Sequence, residues 1–183
     1  QYEKAREEGE QIIVITISGK LSGTYQSACI ASEDYEDMVH VVDSENVTVG
    51  ERTLVEYALR LKDDGMDVDA IVEILNTAKK NIRVVGLLDT LEYLKKGGRI
   101  SKATALVGGM LSIKPVIAIE NGEVVMLGKA RGSKQGNNLL VQQIEKAGGI
   151  DFSKPYYLGY AGLDDTLLRK YITDSAHLWE EHA

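Results

Sequence analysis

The apolar positions along the chain follow two alternating periods. QIIVITI (residues 11–17) is a continuous β-branched run, typical of a strand buried on both faces of a parallel sheet. Residues 23–35 then have helical character, and MVHVVDS (residues 38–44) predicts a second strand.

Two helices follow the second strand. The first is long and carries its apolar residues on one side, and the second spans residues 68–80. The predicted inward-facing residues are Leu54, Val55, Ala58, Leu59 and Leu61 in the first helix and Ile71, Val72, Leu75 and Ala78 in the second. The order strand–helix–strand–helix predicts an α/β layer with a parallel sheet.

The pattern changes near residue 81. IRVVGLLDT predicts a strand, LEYLKKGGRI a short helix ended by Gly97 and Gly98, and SKATALVGGMLSI a helix that begins near Ser101. KPVIAIE and EVVMLGKA predict two strands, and the Asn121-Gly122 pair between them is the strongest short signal for a hairpin. A helix over residues 134–147, a strand YYLGYAG and a final amphipathic helix complete the pattern.

These elements predict two domains. Residues 1–80 form part of an N-terminal α/β domain, and residues 81–183 form a C-terminal α+β domain with antiparallel strands. The chain opens on QYEKAREEG, which reads as the end of a charged helix without its start. We therefore expect the chain to be a piece of a longer protein.

Composition narrows the function classes. The chain has 183 residues, 44% of them hydrophobic, and a formal net charge of −7 without a long basic run, which argues against a nucleic-acid partner. The single cysteine, Cys29, excludes a disulfide framework and suits a reducing cytoplasm. No apolar segment approaches the ~20 residues that span a bilayer, and no signal peptide is visible. We expect a cytoplasmic protein.

The loop SGKLSGT (residues 18–24) is the main candidate site. It follows the first strand, and the carboxyl ends of parallel strands are where open α/β sheets bind ligands. A Ser/Gly turn that leads into a helix presents backbone N–H groups to an anion. The loop matches neither a dinucleotide-binding motif, nor a P-loop, nor a hydrolase elbow. An ordinary N-cap, with Ser22 bonded to the amide near Thr24 or Tyr25, explains the spacing equally well.

Two basic clusters follow. LKKGGRISKA is explained by a helix C-cap with a solvated Arg99, and less readily by a loop that presents cations. GKARGSKQG places Lys129, Arg131 and Lys134 at the end of a strand and the start of a helix, where the helix dipole disfavours cations, and this favours a functional role.

The histidines do not predict a metal site. His40 lies inside a strand, and His177 and His182 are separated by about 140° around the last helix. With no Cys/His cluster and no histidine near a candidate nucleophile, the chain lacks the usual equipment of an independent enzyme.

The ordered set SGKLSGTYQSA, LEYLKKGGRIS, LSIKPVIAIENGEV and KARGSKQ resembles the DegV family of bacterial fatty-acid-binding proteins, some of which serve the fatty acid kinase. The resemblance covers nearly the whole chain and is strong from residue 12 to about residue 144. It implies a two-domain, non-catalytic carrier of phospholipid metabolism that encloses an acyl chain between or within its domains. The carrier presents the carboxylate to a separate ATP-binding subunit, which makes the acyl phosphate.

The resemblance also implies roles for residues. Ser22 corresponds to the family's carboxylate serine, with Ser18, Gly23 and Thr24 in the same carboxylate-binding loop. Arg99 and Arg131 match basic residues of the family's GGRI and RG motifs, and with Lys134 they lie near the site or dock the kinase. The candidate residues for the wall of the acyl tunnel are Ile100, Ala103, Leu106, Val107, Leu111 and Ile113.

The chain departs from the family pattern at both ends. The family has an N-terminal Thr-Ser turn that supplies a second hydroxyl to the carboxylate, and a C-terminal His-Thr-Gly-Pro-Gly-like stretch. Neither occurs in this sequence, so we expect the first domain to lack its first segment and the second domain its last. The family's Ser-Ser ahead of the loop is Ser18-Gly19 here.

The expected partners follow from the resemblance. They are a long-chain fatty acid, the ATP-binding subunit of the fatty acid kinase and, transiently, a membrane surface; no cofactor and no nucleic acid are expected. Two alternatives stay open: a small-molecule kinase or hydrolase that uses the Ser-Gly loop as a phosphate site, and a regulatory module that senses lipid. Nucleotide binding by the isolated protein distinguishes the first alternative.

Overall fold

The computed structural model describes residues 1–100, 113–179 and 182. The chain divides into two compact units, one of Gln1–Ile82 with Asn121–Glu123 and one of Arg83–Glu120 with Val124–Ala183. The predicted fold class is confirmed: the first unit contains a parallel two-stranded sheet and the second an antiparallel three-stranded sheet. The assignment of residues 1–80 and 81–183 to separate domains stays a prediction, because a compact unit need not fold alone.

The first unit contains two strands and four helices among its described residues. In chain order they are α1 Tyr2–Glu8, β1 Ile12–Thr16, α2 Thr24–Ser32, β2 Val39–Asp43, α3 Val49–Asp63 and α4 Val68–Ala78. Short 3-10 turns at Glu33–Tyr35 and Lys79–Asn81 follow α2 and α4.

The strands β1 and β2 pair in parallel, from Ile12 opposite Val39 to Thr16 opposite Asp43. Apolar residues cover both faces of this sheet, which explains the uninterrupted β-branched run. On one face, β1 and β2 pack against α3 and α4 in a core of Val42, Leu54, Leu61, Ile71 and Leu75. On the other face they pack against Ala5 and Met38.

The apolar stripe predicted along α3 is only partly right. Leu54 and Leu61 are buried, whereas Val55 and Leu59 are 38% and 49% exposed. At about 100° per residue, Leu54 and Leu61 lie on one side of the helix, and Val55 and Leu59 lie more than a quarter turn away. The helix therefore has a narrow buried face and a second apolar face that is open in the described residues.

The second unit is built on a hairpin. Its described elements are β3 Val84–Leu87, α5 Glu92–Lys96, β4 Ile113–Glu120, β5 Glu123–Arg131, α6 Gly132–Lys146, α7 Thr166–Asp174 and α8 Ala176–Trp179. The strand order is β3-β4-β5, with β3 and β4 antiparallel. Asn121 and Gly122 both have positive φ, 50° and 79°, so they form the predicted two-residue hairpin turn.

The strand predicted at YYLGYAG (residues 156–162) is wrong, since the structure gives this segment no strand. A strand requires a neighbour that completes its hydrogen-bond ladder, and among the described residues none pairs with this segment. Its first tyrosine instead contacts the chain terminus: the hydroxyl of Tyr156 donates to the carbonyl of His182 at 2.7 Å, and its ring stacks on Trp179.

Candidate functional site

The carboxyl ends of β1 and β2 hold an unusual group of buried polar residues. Thr16, Ser18, Ser44 and Asn46 are all at most 4% exposed. Burial of a polar group is unfavourable unless the group is hydrogen-bonded. Within this buried polar cluster, two oxygen atoms, Thr16 Oγ1 and Asn46 Oδ1, have no hydrogen-bond partner in the described structure.

Ser18 organises the loop that follows it. Its backbone N–H donates to the carbonyl of Asn46 at 2.9 Å, and its own carbonyl accepts from the amides of Leu21 and Ser22, both at 3.0 Å. Its Oγ accepts from the amide of Lys20 at 3.3 Å. Three successive loop amides are therefore bonded to one residue.

The Oγ atom of Ser18 also contacts the hairpin turn, whose residues 121–123 belong to the first unit. Ser18 Oγ donates to the carbonyl of Gly122 at 2.7 Å. Gly122 has no room for a side chain, because a Cβ atom there would lie 2.7 Å from Ser18 Oγ. Nearby, Lys20 Nζ lies 3.8 Å from a carboxylate oxygen of Glu123.

These contacts engage the hydroxyl of Ser18, and its role in binding the ligand carboxylate stays a prediction. Ser18 is fully buried, and its single hydroxyl proton is directed to Gly122. A serine hydroxyl has only one donor hydrogen, and in this arrangement Gly122 accepts it.

Ser22 lies in a different setting, at the exposed start of α2. Its Oγ lies 2.8 Å from Thr24 Oγ1, and it accepts from the amide of Thr24 at 3.3 Å. When two hydroxyls share one hydrogen bond, the second proton is free to donate elsewhere. The capping bond expected of Ser22 is present but long, and the N-cap position is occupied by Gly23, without a side-chain cap.

The helix start itself favours an anion. The first turn of α2 contains no acidic residue, and the first amides of any helix have no partner within the helix. These amides and the positive end of the helix dipole attract negative charge. The half-buried Ser22 and the exposed Gly23 and Thr24 are thus brought together at one helix start.

Asp43 is an acidic residue at the carboxyl end of β2. Its carboxylate accepts from the amide of Gly19 at 3.1 and 3.2 Å and from the amide of Glu45 at 2.8 Å. The Gly19 amide is therefore already occupied. The phenol of Tyr25 adds no negative charge there, because its hydrogen bond with Cys29 and its burial raise the pKa of Tyr25.

In the second unit, Arg99 follows a helix C-cap of the Schellman type. The amide of Gly98, which has φ 72°, donates to the carbonyl of Lys95, and the amide of Arg99 donates to the carbonyl of Leu94. The side chain of Arg99 is exposed and donates to the carbonyl of Gly97. The GGR motif thus forms the predicted C-cap, and the proposed ligand role of Arg99 stays a prediction.

Arg131 and Lys134 lie together at the start of α6, in the second unit. Arg131 occupies the N-cap position, and its amide donates to Gln135 Oε1 at 2.6 Å. Both cationic side chains are exposed, and the first turn of α6 contains no acidic residue. Arg131 and Lys134 therefore add positive charge to the N-terminal end of α6, where the helix dipole already favours the binding of an anion.

Two of the six residues predicted to line the acyl tunnel lie within the described part of the chain, and their role stays a prediction. Ile100 is buried and Ile113 is half-buried in β4. The remaining candidates, Ala103, Leu106, Val107 and Leu111, lie outside the described residues, as does the helix predicted from Ser101.

A groove of about 600 Å³ in the first unit is separate from the Ser-Gly loop. Its lining includes residues 12–15 of β1, Tyr2 and Ala5 of α1, and Val55 of α3. Because successive strand residues point to opposite faces, a groove lined by four in a row follows the edge of the strand. In the described part of the chain this edge of β1 has no neighbour.

Sequence reasoning missed Asp43, Asn46 and Gly122 as parts of the site. The polar pair Asp43-Ser44 could have indicated this part of the site, because it ends a strand predicted to lie parallel to the first one. Gly122 was predicted only as a turn residue. Its contact with Ser18 spans 104 positions of the chain, and no local pattern indicates such a contact.

Among the described residues, no helix has the length and apolar character needed to cross a membrane.

Comparison with known proteins gives consistent matches. A family model described as "uncharacterised protein, DegV family" matches residues 1–172. A DegV domain-containing protein from Clostridium acetobutylicum is 39% identical over 148 residues, which cover 79% of this chain and 53% of the relative. One from Caldanaerobacter subterraneus is 34% identical over 146 residues, 79% of this chain and 52% of the relative. The chain spans about half the length of these curated relatives.

Solved structures show the same similarity. A fatty-acid-binding DegV family protein from Thermus thermophilus superimposes with a TM-score of 0.81 at 30% identity, covering 97% of this chain and 64% of that one. The Streptococcus pneumoniae fatty acid kinase (Fak) B3 protein, loaded with linoleic acid, superimposes with a TM-score of 0.72 at 34% identity, covering 81% of this chain and 55% of that one.

Proposed function

The chain belongs to the DegV family, and from this membership we propose that it binds a long-chain fatty acid with the carboxylate at the Ser-Gly loop. The observation that carries the proposal is the pair of hydroxyls of the half-buried Ser22 and the exposed Thr24, 2.8 Å apart, at the start of a helix without acidic residues in its first turn. A carboxylate only accepts hydrogen bonds, so it suits a group of donors.

The energetics of a fatty acid agree with such a shallow polar site. Each buried CH₂ group contributes about 0.8 kcal/mol, so a long tail supplies most of the affinity. The head group needs only enough hydrogen bonds to replace those it made with water. The free hydroxyl proton of the Ser22–Thr24 pair and the first amides of α2 are proposed to meet this need without a buried counter-ion.

The tail is expected along the walls predicted from the sequence. Ile100 and Ile113 are the two candidates within the described residues, and Ala103, Leu106, Val107 and Leu111 complete the predicted set. The proposal includes no cofactor besides the bound fatty acid.

The second part of the proposal is that the protein presents its fatty acid to a fatty acid kinase and does no chemistry itself. It is supported by the similarity to the Fak B3 protein, at 34% identity. Arg131 and Lys134, exposed at the start of α6, are proposed to meet the kinase or the phosphoryl group that it transfers, and Arg99 is proposed as a further basic contact. We expect this exchange in the cytoplasm, with transient contact to a membrane surface.

Thermal unfolding of the full-length protein with two ligands tests the proposal. A fatty acid at ~100 times its dissociation constant should stabilise the protein by about 2.7 kcal/mol, whereas ATP should have no effect. Stabilisation by ATP but not by fatty acid would favour the small-molecule kinase instead. A fatty acid that stabilises the protein but is never phosphorylated with a kinase partner would favour a lipid-sensing module.

A further inference from the structure

We propose that Ser18 is a positioning residue, which holds the Ser-Gly loop in the shape that presents Ser22 to the ligand and depends on the Asn121-Gly122 turn to do so. This inference rests on the proposed fatty-acid site and assigns to that site two residues, Ser18 and Gly122, that do not touch the ligand.

The first step is the loop's dependence on Ser18. The amides of Lys20, Leu21 and Ser22 all donate to Ser18, the first to its Oγ and the other two to its carbonyl. The amide of Ser22 is therefore fixed 3.0 Å from the carbonyl of Ser18. A shift of Ser18 moves the residue that carries the ligand-facing hydroxyl.

The second step is the dependence of Ser18 on Gly122. Ser18 is fully buried, so its hydroxyl proton requires a protein acceptor, and the carbonyl of Gly122 at 2.7 Å is that acceptor. With its proton directed to Gly122, Ser18 Oγ turns a lone pair towards the amide of Lys20.

The third step is the close fit at Gly122. A Cβ atom there would lie 2.7 Å from Ser18 Oγ, which is closer than real Cβ contacts. Its φ of 79° also lies in the region that glycine adopts without strain. An alanine at this position therefore displaces the Ser18 hydroxyl without removing it.

The ion pair between Lys20 and Glu123 does not explain the dependence of the Ser-Gly loop on the hairpin turn. Lys20 and Glu123 are 3.8 Å apart and both side chains are more than half exposed, so the pair is weak. Glu123→Gln should leave ligand binding unchanged.

The test compares a saturated fatty acid with the alcohol of the same chain length in the full-length protein. In Ser18→Ala the dissociation constant of the acid should rise about tenfold, and that of the alcohol less than about twofold. The difference is expected because only the acid has a carboxylate that accepts a hydrogen bond from the Ser22 hydroxyl. Gly122→Ala should change the acid-to-alcohol ratio in the same direction. It also serves as the test if Ser18→Ala does not fold.

Ser175→Ala is the matched control. Ser175 is equally buried, donates to the carbonyl of Tyr171 at 2.6 Å and accepts from Trp179 Nε1 at 3.0 Å, but it belongs to the second unit. Its loss should lower stability and leave the acid-to-alcohol ratio unchanged.

The outcomes separate this inference from the proposed function. If Ser22→Ala alters the ratio while Ser18→Ala and Gly122→Ala leave it as in wild type, Ser18 is a structural residue and the inference fails alone. If the wild-type protein binds neither ligand, the proposed function fails and the inference with it.

Discussion

At the residue scale, two serines four positions apart carry the same hydroxyl in opposite environments. Ser18 is fully buried and bonded to the hairpin turn, whereas Ser22 lies at an exposed helix start beside Thr24. Burial and the position of the nearest acceptor, rather than the chemistry of the side chain, distinguish an anchor of the loop from a candidate ligand contact.

The role of Ser22 leads to the first prediction. A hydrogen bond to a charged group contributes about 1.5–3 kcal/mol, so Ser22→Ala should weaken fatty-acid binding roughly ten- to a hundredfold. Binding of the fatty alcohol of the same length should change much less, because the tail supplies most of its affinity. Titration of both ligands into the full-length protein measures this difference, and equal losses for acid and alcohol would reduce Ser22 to a helix cap.

A second prediction at this scale concerns the core beneath the site. Leu75 is fully buried among the residues of α3, α4 and the sheet, so Leu75→Ala should lower the free energy of unfolding by about 2–5 kcal/mol. Leu59→Ala is the control, because Leu59 is 49% exposed and its loss should cost no more than about 0.5 kcal/mol. Urea unfolding of the full-length protein measures both, and equal effects would contradict the burial of Leu75 and the exposure of Leu59.

At the element scale, the sequence predicted those elements whose pattern is local. The strands β1 and β2 and the helix α4 follow from their periods, and the hairpin turn follows from Asn121-Gly122. The segment of residues 156–162 was mispredicted, because its three tyrosines favour a strand but do not reveal whether a pairing strand is present. The contact of Ser18 with Gly122 was not predictable, because it joins residues 104 positions apart.

The start of α4 provides a third prediction. The carboxylate of Asp67 accepts from the amide of Ala70 at 2.9 Å and caps the helix. Asp67→Ala should lower the free energy of unfolding by about 1 kcal/mol, and Asp67→Asn, which keeps an acceptor, by less. Asp69→Ala removes an equal charge from the same first turn without a capping bond and is the control. In chemical denaturation, Asp67→Ala should lower the free energy of unfolding most, Asp67→Asn less and Asp69→Ala least. If Asp69→Ala lowers it as much as Asp67→Ala does, the effect comes from charge alone and not from the capping bond.

At the scale of the whole molecule, the chain spans about half the length of the curated relatives it matches. The sequence identified the family and a candidate loop for the head group, but not a complete binding site. The ordered motifs carried the family assignment, which the family match over residues 1–172 confirms. Which residues would line a bound tail depends on long-range packing, and no local motif specifies it.

Transfer to a kinase supplies the fourth prediction. Arg131 is exposed at the N-cap of α6, where the helix dipole does not require a cation. Arg131→Ala should lower acyl-phosphate production with the kinase partner about tenfold or more, through a slower encounter, and leave the bound lipid nearly unchanged. Lys129→Ala, an exposed cation on the same strand, should have a smaller effect. Loss of lipid from Arg131→Ala with normal turnover of the remainder would assign Arg131 to lipid retention instead.

The central claim is that this protein binds a fatty acid as its ligand. Solvent extraction of the purified full-length protein, followed by mass spectrometry, tests it most directly. The account predicts close to one long-chain fatty acid per protein molecule and less of it in Ser22→Ala. An extract without a stoichiometric acyl chain, from a protein whose thermal stability added fatty acid does not change, would contradict the account.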